Sequence, residues 1–141
     1  MLADILDLEN EAFTCPWSEN NFREAFDSPH ITVFAAVDET AGNALTGFSC
    51  LMSYDSEGEI LNIAVRLSAR KHGIGQMLMD AMLNEGTSKG VTDFFLEVRE
   101  SNAAARYLYE KNGFESLGVR KRYYSKPVED AVIMRKTIVT E

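Results

Sequence analysis

Several things are scarce in this 141-residue chain, and each scarcity narrows what it can be. No apolar run is long enough to cross a bilayer, and the N-terminus carries no signal-peptide pattern, so a cytoplasmic placement is expected. There are only two cysteines, Cys15 and Cys50, without CxxC spacing or a neighbouring histidine cluster. That argues against a disulfide framework and against structural zinc, and leaves two ordinary thiols. His30 and His72 lack partners at ligand spacing, so no metal site is expected. Neither GxGxxG nor GxxxxGK[ST] occurs, which removes the dinucleotide fingerprint and the P-loop. No repeat, linker or low-complexity segment interrupts the chain, so residues 1–141 are read as one domain, long enough to bury a real core. Positive charge is also short: 14 Lys and Arg stand against 22 Asp and Glu, a net charge of −8. A nonspecific nucleic-acid binder is usually basic. An acidic surface instead suits a cationic partner such as an amine or a basic peptide. The cations present cluster late, at Arg120, Lys121, Arg122 and Lys126.

What is there reads as alternating elements of a mixed α/β sheet with helices on both faces. Met1 to Phe13 has a helical stripe from Leu2, Ile5, Leu6 and Leu8, ended by Pro16. Ser18 caps a second helix to about Phe26, with Phe22, Ala25 and Phe26 on one face. Ile31–Val37 and Leu45–Tyr54 are β-branched and aromatic strands, Asp55–Gly58 a hairpin turn, and Glu59–Val65 an interior strand. After Gly73, residues Ile74, Met77, Leu78, Ala81 and Met82 give the clearest helical period in the chain, with Gly90 as its stop. Phe94–Val98 is a short buried strand, so strand, helix and strand form a right-handed crossover with parallel strands. Ser101 or Asn102 caps a helix over Ala103–Asn112, with Gly113 beyond it. Val119–Tyr124 and Ala131–Ile138 close the sheet as an antiparallel pair.

Chemistry concentrates in three places. The first is Arg70-Lys71-His72-Gly73-Ile74-Gly75, a strand-to-helix turn with glycines and cations in front of a helix N-terminus. Free amides and the helix dipole there favour an anion such as a pyrophosphate, although a plain tight connection has the same look. The second is Glu97, a carboxylate inside an apolar strand. Either it serves a site at the strand's C-terminal end, or it lies on a half-exposed face or pairs with Arg99 or Lys89. The third is the Asn102 helix with Tyr107 and Tyr109, one of which packs while the other could give a proton; spacing does not say which. Trp17 is core packing or a groove wall.

Together these stretches resemble the GNAT superfamily of N-acetyltransferases. The matching residues are Pro16-Trp17-Ser18-Glu19, Asn62-Ile63-Ala64-Val65, Arg70-x-x-Gly73-Ile74-Gly75, and Leu96-Glu97-Val98-Arg99-x-Ser101-Asn102 with Ala103-Ala104-Ala105. Leu108-Tyr109-Glu110, Gly113-Phe114, Tyr123-Tyr124 and Glu129-Asp130-Ala131 with Ile133-Met134 continue the likeness, which spans about Phe13 to Met134. Within the superfamily the chain is similar to the bacterial RimI-type enzymes, which acetylate the N-terminal alanine of a small-subunit ribosomal protein. The glycine turn belongs to the whole superfamily and points to acetyl-CoA. The Glu97 run, the Pro-Trp-Ser-Glu stretch and the late tyrosines are narrower and concern the acceptor.

The resemblance implies the acyl-CoA N-acyltransferase fold and direct transfer from acetyl-CoA, without a metal, to a ribosomal-protein N-terminus or similar peptide. No nucleic acid or membrane partner is implied. A lysine, polyamine or other small amine is the alternative acceptor, and a noncatalytic acyl-CoA-binding module is the alternative of another class. Glu97 would be the general base and Tyr109 the general acid. Ile63, Ala64 and Val65 would hold the pantetheine arm as an added strand, with the Val65 amide facing the reacting oxygen. Arg70 and the amides of Lys71, His72, Gly73, Ile74, Gly75 and Gln76 would take the pyrophosphate, and Asn102 would also touch the cofactor. A peptide α-amine has a pKa of about 8, so part of it needs deprotonation at neutral pH. The departing thiolate needs a proton. The chain departs from the superfamily in three respects. The usual first strand is expected to be missing, because Met1 already adjoins the first helix. Gln76 stands where arginine is frequent. Ser125-Lys126-Pro127-Val128 is a short connection.

Overall fold

The computed structural model describes residues 1–138. Helices α1 (Leu2–Ala12) and α2 (Glu19–Asp27) come first, followed by strands β1 (Ile31–Asp38), β2 (Ala44–Tyr54) and β3 (Glu57–Val65). Then come α3 (Ile74–Ser88), β4 (Asp93–Arg99), α4 (Ala103–Lys111), β5 (Glu115–Tyr124) and β6 (Glu129–Thr137). Among the described residues α1 is the first element. The six strands form one sheet in the order β1-β2-β3-β4-β6-β5. β3 and β4 are parallel and the other neighbours antiparallel.

Two cores lie on opposite sides of this sheet. α1 and α2 cover Leu45, Phe48, Cys50 and Ala64 with Ile5, Leu8 and Phe22. α3 and α4 cover Leu51, Ile60, Phe94, Leu96, Val98, Val132 and Met134 with Met79, Met82 and Tyr109. Ser18 caps α2 through a capping box with Asn21, which fixes where the chain re-enters a helix after Pro16. The stripes differ in detail from the periodicity. Phe26 is exposed, and α2 buries only Phe22 and Ala25. Met77 is likewise exposed while Met79 is fully buried, so the inner face of α3 runs Leu78, Met79, Met82, Gly86. Gly86 belongs to it because a Cβ there would stand 2.5 Å from the Phe94 ring. The β2–β3 hairpin is tighter than expected: Tyr54 pairs with Glu57, so Glu57 and Gly58 are already strand.

Two of the sheet's register shifts shape the site. Cys50 pairs with Asn62 and Leu51 with Ile60, which leaves Leu61 as an extra residue in β3. A bulge of this kind bends its strand and reverses the side-chain alternation. Ile60 therefore joins the α3 core, whereas Ala64 joins the α1 core. β3 pairs with β4 only through Glu57↔Asp93, Gly58↔Phe94 and Glu59↔Phe95. Just before the bulge the two strands part, and the sheet opens between their C-terminal halves. The second irregularity lies in β5, where Arg120 pairs with Ala131 and Tyr124 with Glu129, so that Lys121, Arg122 and Tyr123 bulge out. Arg122 has a φ of 52°, and its N–H donates to Asp130 Oδ1 at 2.9 Å, which holds the bulge.

Candidate active site

The opening between β3 and β4 gathers most of the singled-out residues. On the β3 side, Arg66 N–H donates to Thr46 O of β2 at 2.8 Å. Strand alternation then turns the N–H and C=O of Val65 the other way, into the opening. Val65 O accepts Arg70 Nε at 3.2 Å, in keeping with that direction. The outer edge of β3 beyond Glu59 is thus a row of backbone groups free of β4, an edge onto which an extended ligand can add.

Below this edge the turn before α3 has backbone geometry that suits an anion. Lys71 and Gly73 both adopt left-handed backbone, with φ of 67° and 78°. Such reversals point successive amides into one concavity. Gly73 is the N-cap of α3, no side chain caps the helix, and no acidic residue sits in its first turn. Its first amides are therefore available to an outside acceptor. The Gln76 side chain is committed elsewhere: its Nε2 donates to Asn112 Oδ1 at 2.7 Å and to Asp80 Oδ1 at 2.8 Å, and Asn112 Nδ2 returns a bond to Gln76 Oε1 at 3.0 Å. Gln76 ties α3 to α4 and offers the turn its backbone amide. Asn102, and not Ser101, caps α4, its Oδ1 accepting Ala105 N–H at 3.1 Å.

On the β4 side, alternation buries Phe94, Leu96 and Val98 and leaves Phe95, Glu97 and Arg99 half-exposed on the opposite face. β4 is not buried on both faces as expected, because no helix covers that half of the sheet. Glu97 pairs with neither Arg99 nor Lys89; its partner is Arg120, at 3.3 Å across β6. Arg120 in turn lies 5.5 Å from the Tyr123 ring centre. Glu97 interacts with the Tyr123 phenol and, with partial burial, raises its pKa. Tyr124 is pushed up to about 12, by burial first and then by Glu97. Glu59 completes the cluster from β3. Its carboxyl is raised by burial and by the nearby Glu97 charge. Residue order flagged none of this, because the β3–β4 register alone brings Glu59 to Glu97.

The two tyrosines of α4 separate cleanly. Tyr107 is exposed, and Tyr109 points inward, 6.0 Å from the Phe114 ring. Burial holds the Tyr109 phenol well above the ordinary range. Trp17 packs, its ring centre 5.1 Å from that of Phe22, and it borders a cavity of about 330 Å³ with Asn21, Glu24, Ala25, Ile31 and Leu61, whose lining includes none of Glu97, Tyr123 and Tyr124. Its backbone N–H donates to Glu9 Oε2 at 2.8 Å, and Glu9 Oε1 accepts Asn62 Nδ2 at 3.1 Å. This buried carboxylate pins the α1–α2 turn to the β3 bulge.

Arg99 was singled out only as a partner for Glu97, and it has a different role in the fold. Its guanidinium reaches Thr14, Ser125, Pro127 and Glu129 and lies over Tyr124. Alternation places it on the face of Glu97; nothing in the sequence places Thr14 beside it. Among the described residues no group of His, Cys, Asp and Glu could hold a metal ion. No helix there is long and apolar enough to cross a membrane.

The profile of the acetyltransferase (GNAT) family matches residues 2–114. The [ribosomal protein bS18]-alanine N-acetyltransferase of Salmonella typhimurium is 34% identical over 129 residues, covering 90% of this chain and 84% of that protein. The protein of the same name from Haemophilus influenzae is 32% identical over 133 residues, 92% of this chain and 88% of its own. The crystal structure of the ribosomal-protein-S18-alanine N-acetyltransferase from Escherichia coli superposes with a TM-score of 0.89 at 31% identity, over 99% of this chain and 89% of that one.

Proposed function

The chain belongs to the acetyltransferase (GNAT) family, and from that premise we propose that it transfers the acetyl group of acetyl-CoA to the N-terminal α-amine of alanine on ribosomal protein bS18. The observation that carries the reading is the parting of β3 and β4, with an open strand edge on one side and Glu97 on the other. The relatives named for this acceptor align over nine-tenths of the chain and support the choice of amine.

Acetyl-CoA supplies an activated thioester. The edge from Ile63 to Val65 holds its arm, and Arg70 with the amides of Lys71 to Gln76 takes its pyrophosphate; the left-handed turn and the uncapped start of α3 fit an anion there. Asn102 adjoins from the start of α4. The Glu97 carboxylate, directly or through water, takes the proton of the incoming ammonium, leaving a free amine to attack. The Val65 N–H donates to the carbonyl oxygen as negative charge develops on it. Tyr109 gives its phenolic proton to the departing sulfur, and the proton that the attacking nitrogen sheds as the amide forms restores the phenol through water. No acyl-enzyme is needed, so Cys15 and Cys50 take no part.

The test is acetyl-CoA turnover with an Ala-initiated peptide of the bS18 N-terminus, beside the same peptide with its N-terminus blocked. Turnover on the free peptide alone is expected. Equal turnover on the blocked peptide would move the acceptor to side-chain amines, and binding without turnover on either would leave a noncatalytic module.

A further inference from the structure

Two turns border the face of the sheet that carries Glu97, Tyr123 and Tyr124. One joins α1 to α2 (residues 13–18) and the other joins β5 to β6 (residues 125–128). Both are largely exposed and irregular; Trp17, packed on Phe22 and tied to Glu9, anchors the end of the first, and the remaining residues bury little apolar surface. The one direct polar link between them among the described residues is Cys15, whose Sγ donates to Ser125 O at 3.4 Å and lies 3.5 Å from Ser125 Oγ. Everything else passes through Arg99. Its NH2 donates to Thr14 Oγ1 at 3.2 Å on the first turn and to Ser125 O at 2.9 Å on the second. Its NH1 donates to Pro127 O at 3.0 Å and to Glu129 Oε1 at 3.3 Å. The guanidinium lies 4.5 Å from the centre of the Tyr124 ring. The other oxygen of Glu129 accepts the Ser101 N–H, immediately before the Asn102 cap of α4.

From this geometry we propose that Arg99 is the positioning residue of the acceptor groove: its guanidinium clasps the α1–α2 turn to the β5–β6 turn and so sets the rim over Glu97 into which the peptide N-terminus enters. The inference rests on the peptide-acceptor reading above. Arg99 does not serve as the charge partner of Glu97, since Arg120 holds that place. Its donors are divided among a hydroxyl, two carbonyls and a carboxylate that lie in different directions around one plane. A planar guanidinium reaches such a set at once, and a single ammonium does not. Without the clasp each turn samples other positions, and the peptide must order them on binding. That lowers apparent affinity in proportion to the fraction of chains with a formed rim. The pantetheine edge and the α3 turn make none of these contacts, and Asn102 is reached only indirectly through Glu129 and Ser101, so acetyl-CoA binding changes far less than peptide binding.

Arg99→Lys and Arg99→Met, made in the full chain, test this together with Thr14→Val, which cuts only one end of the clasp. The readouts are KM for the Ala-initiated peptide, KM for acetyl-CoA, thermal midpoint, and amide hydrogen exchange of residues 13–18 and 124–129. Both Arg99 variants are expected to raise peptide KM about tenfold or more, with acetyl-CoA KM within about twofold and faster exchange confined to the two turns. Thr14→Val is expected to move peptide KM in the same direction by less, with faster exchange in the first turn. Unchanged exchange in both turns, or faster exchange with unchanged peptide KM, overturns the proposal. So does a proportional rise of both KM values with a falling thermal midpoint, the sign of a merely structural role. A wild type that leaves the peptide unacetylated overturns the acceptor reading, and this proposal with it. A wild type that acetylates it while the variants keep its KM overturns this proposal alone.

Discussion

Glu97 and Tyr109, the proposed base and acid, stand in different surroundings. Glu97 lies half-exposed beside Arg120 and Tyr123, open to a charged amine. Tyr109 is buried beside Phe114, and its proposed role as proton donor rests on its place on α4. Glu97→Gln and Tyr109→Phe are each expected to lower turnover by about 10²-fold or more, the usual scale for a lost acid or base. Steady-state acetylation of the Ala-initiated peptide measures it, and a near-normal rate in either variant removes that residue from the mechanism.

Among the elements, α3 has Gly73 at its N-cap and Gly86 on its inner face, with separate duties. Gly73 supplies the left-handed turn at the head of the helix, where a Cβ costs about 1–2 kcal/mol. Nothing lies within 4 Å of a Cβ added there, so backbone strain is the whole penalty inside the protein. Gly73→Ala is therefore expected to weaken acetyl-CoA binding by titration calorimetry while lowering stability only by that amount. Gly86 is the opposite case, with ordinary backbone and no room. Gly86→Ala drives a methyl into the Phe94 ring and is expected to cost about 1–3 kcal/mol in urea unfolding, with acetyl-CoA affinity unchanged. Equal effects of the two substitutions on both measurements would contradict this division.

For the molecule as a whole, the buried Glu9 carboxyl makes stability depend on pH. Burial raises its pKa above the ordinary value, against the smaller opposing effect of its bonds to Trp17 and Asn62. Below the unfolded-state pKa the group is protonated in both states, and its contribution is fully present. As pH rises from there through the higher folded-state pKa, the unfolded chain gives up the proton first and that stability is lost. Glu9→Gln carries no such term. Wild type minus variant, from urea midpoints between about pH 4 and pH 7, is therefore expected to fall as pH rises and then to level. The depressed carboxyls of Glu129 and Asp130 act in the reverse sense, but both proteins share them. A difference independent of pH would show that Glu9 is not buried as a carboxyl.

Local chemistry alone determined most of the elements and the kind of site. Period 3.6 after Gly73, alternating strands, a Ser18 cap and glycine stops act over a few residues, so they can be read in order along the chain. The same holds for the anion turn, since Arg70 to Gly75 is one contiguous stretch. Periodicity did not distinguish Met77 from Met79, or Phe26 from its inward neighbours, because a stripe's exact angle depends on what it packs against. Only the tertiary structure decided the site itself. The Leu61 bulge parts β3 from β4, insertion of β6 between β4 and β5 brings Arg120 to Glu97, and the register sets Glu59 beside it. Arg99 meets Thr14 across 85 positions. These are contacts between distant segments, fixed by strand order and register, and no local propensity encodes which strand lies next to which.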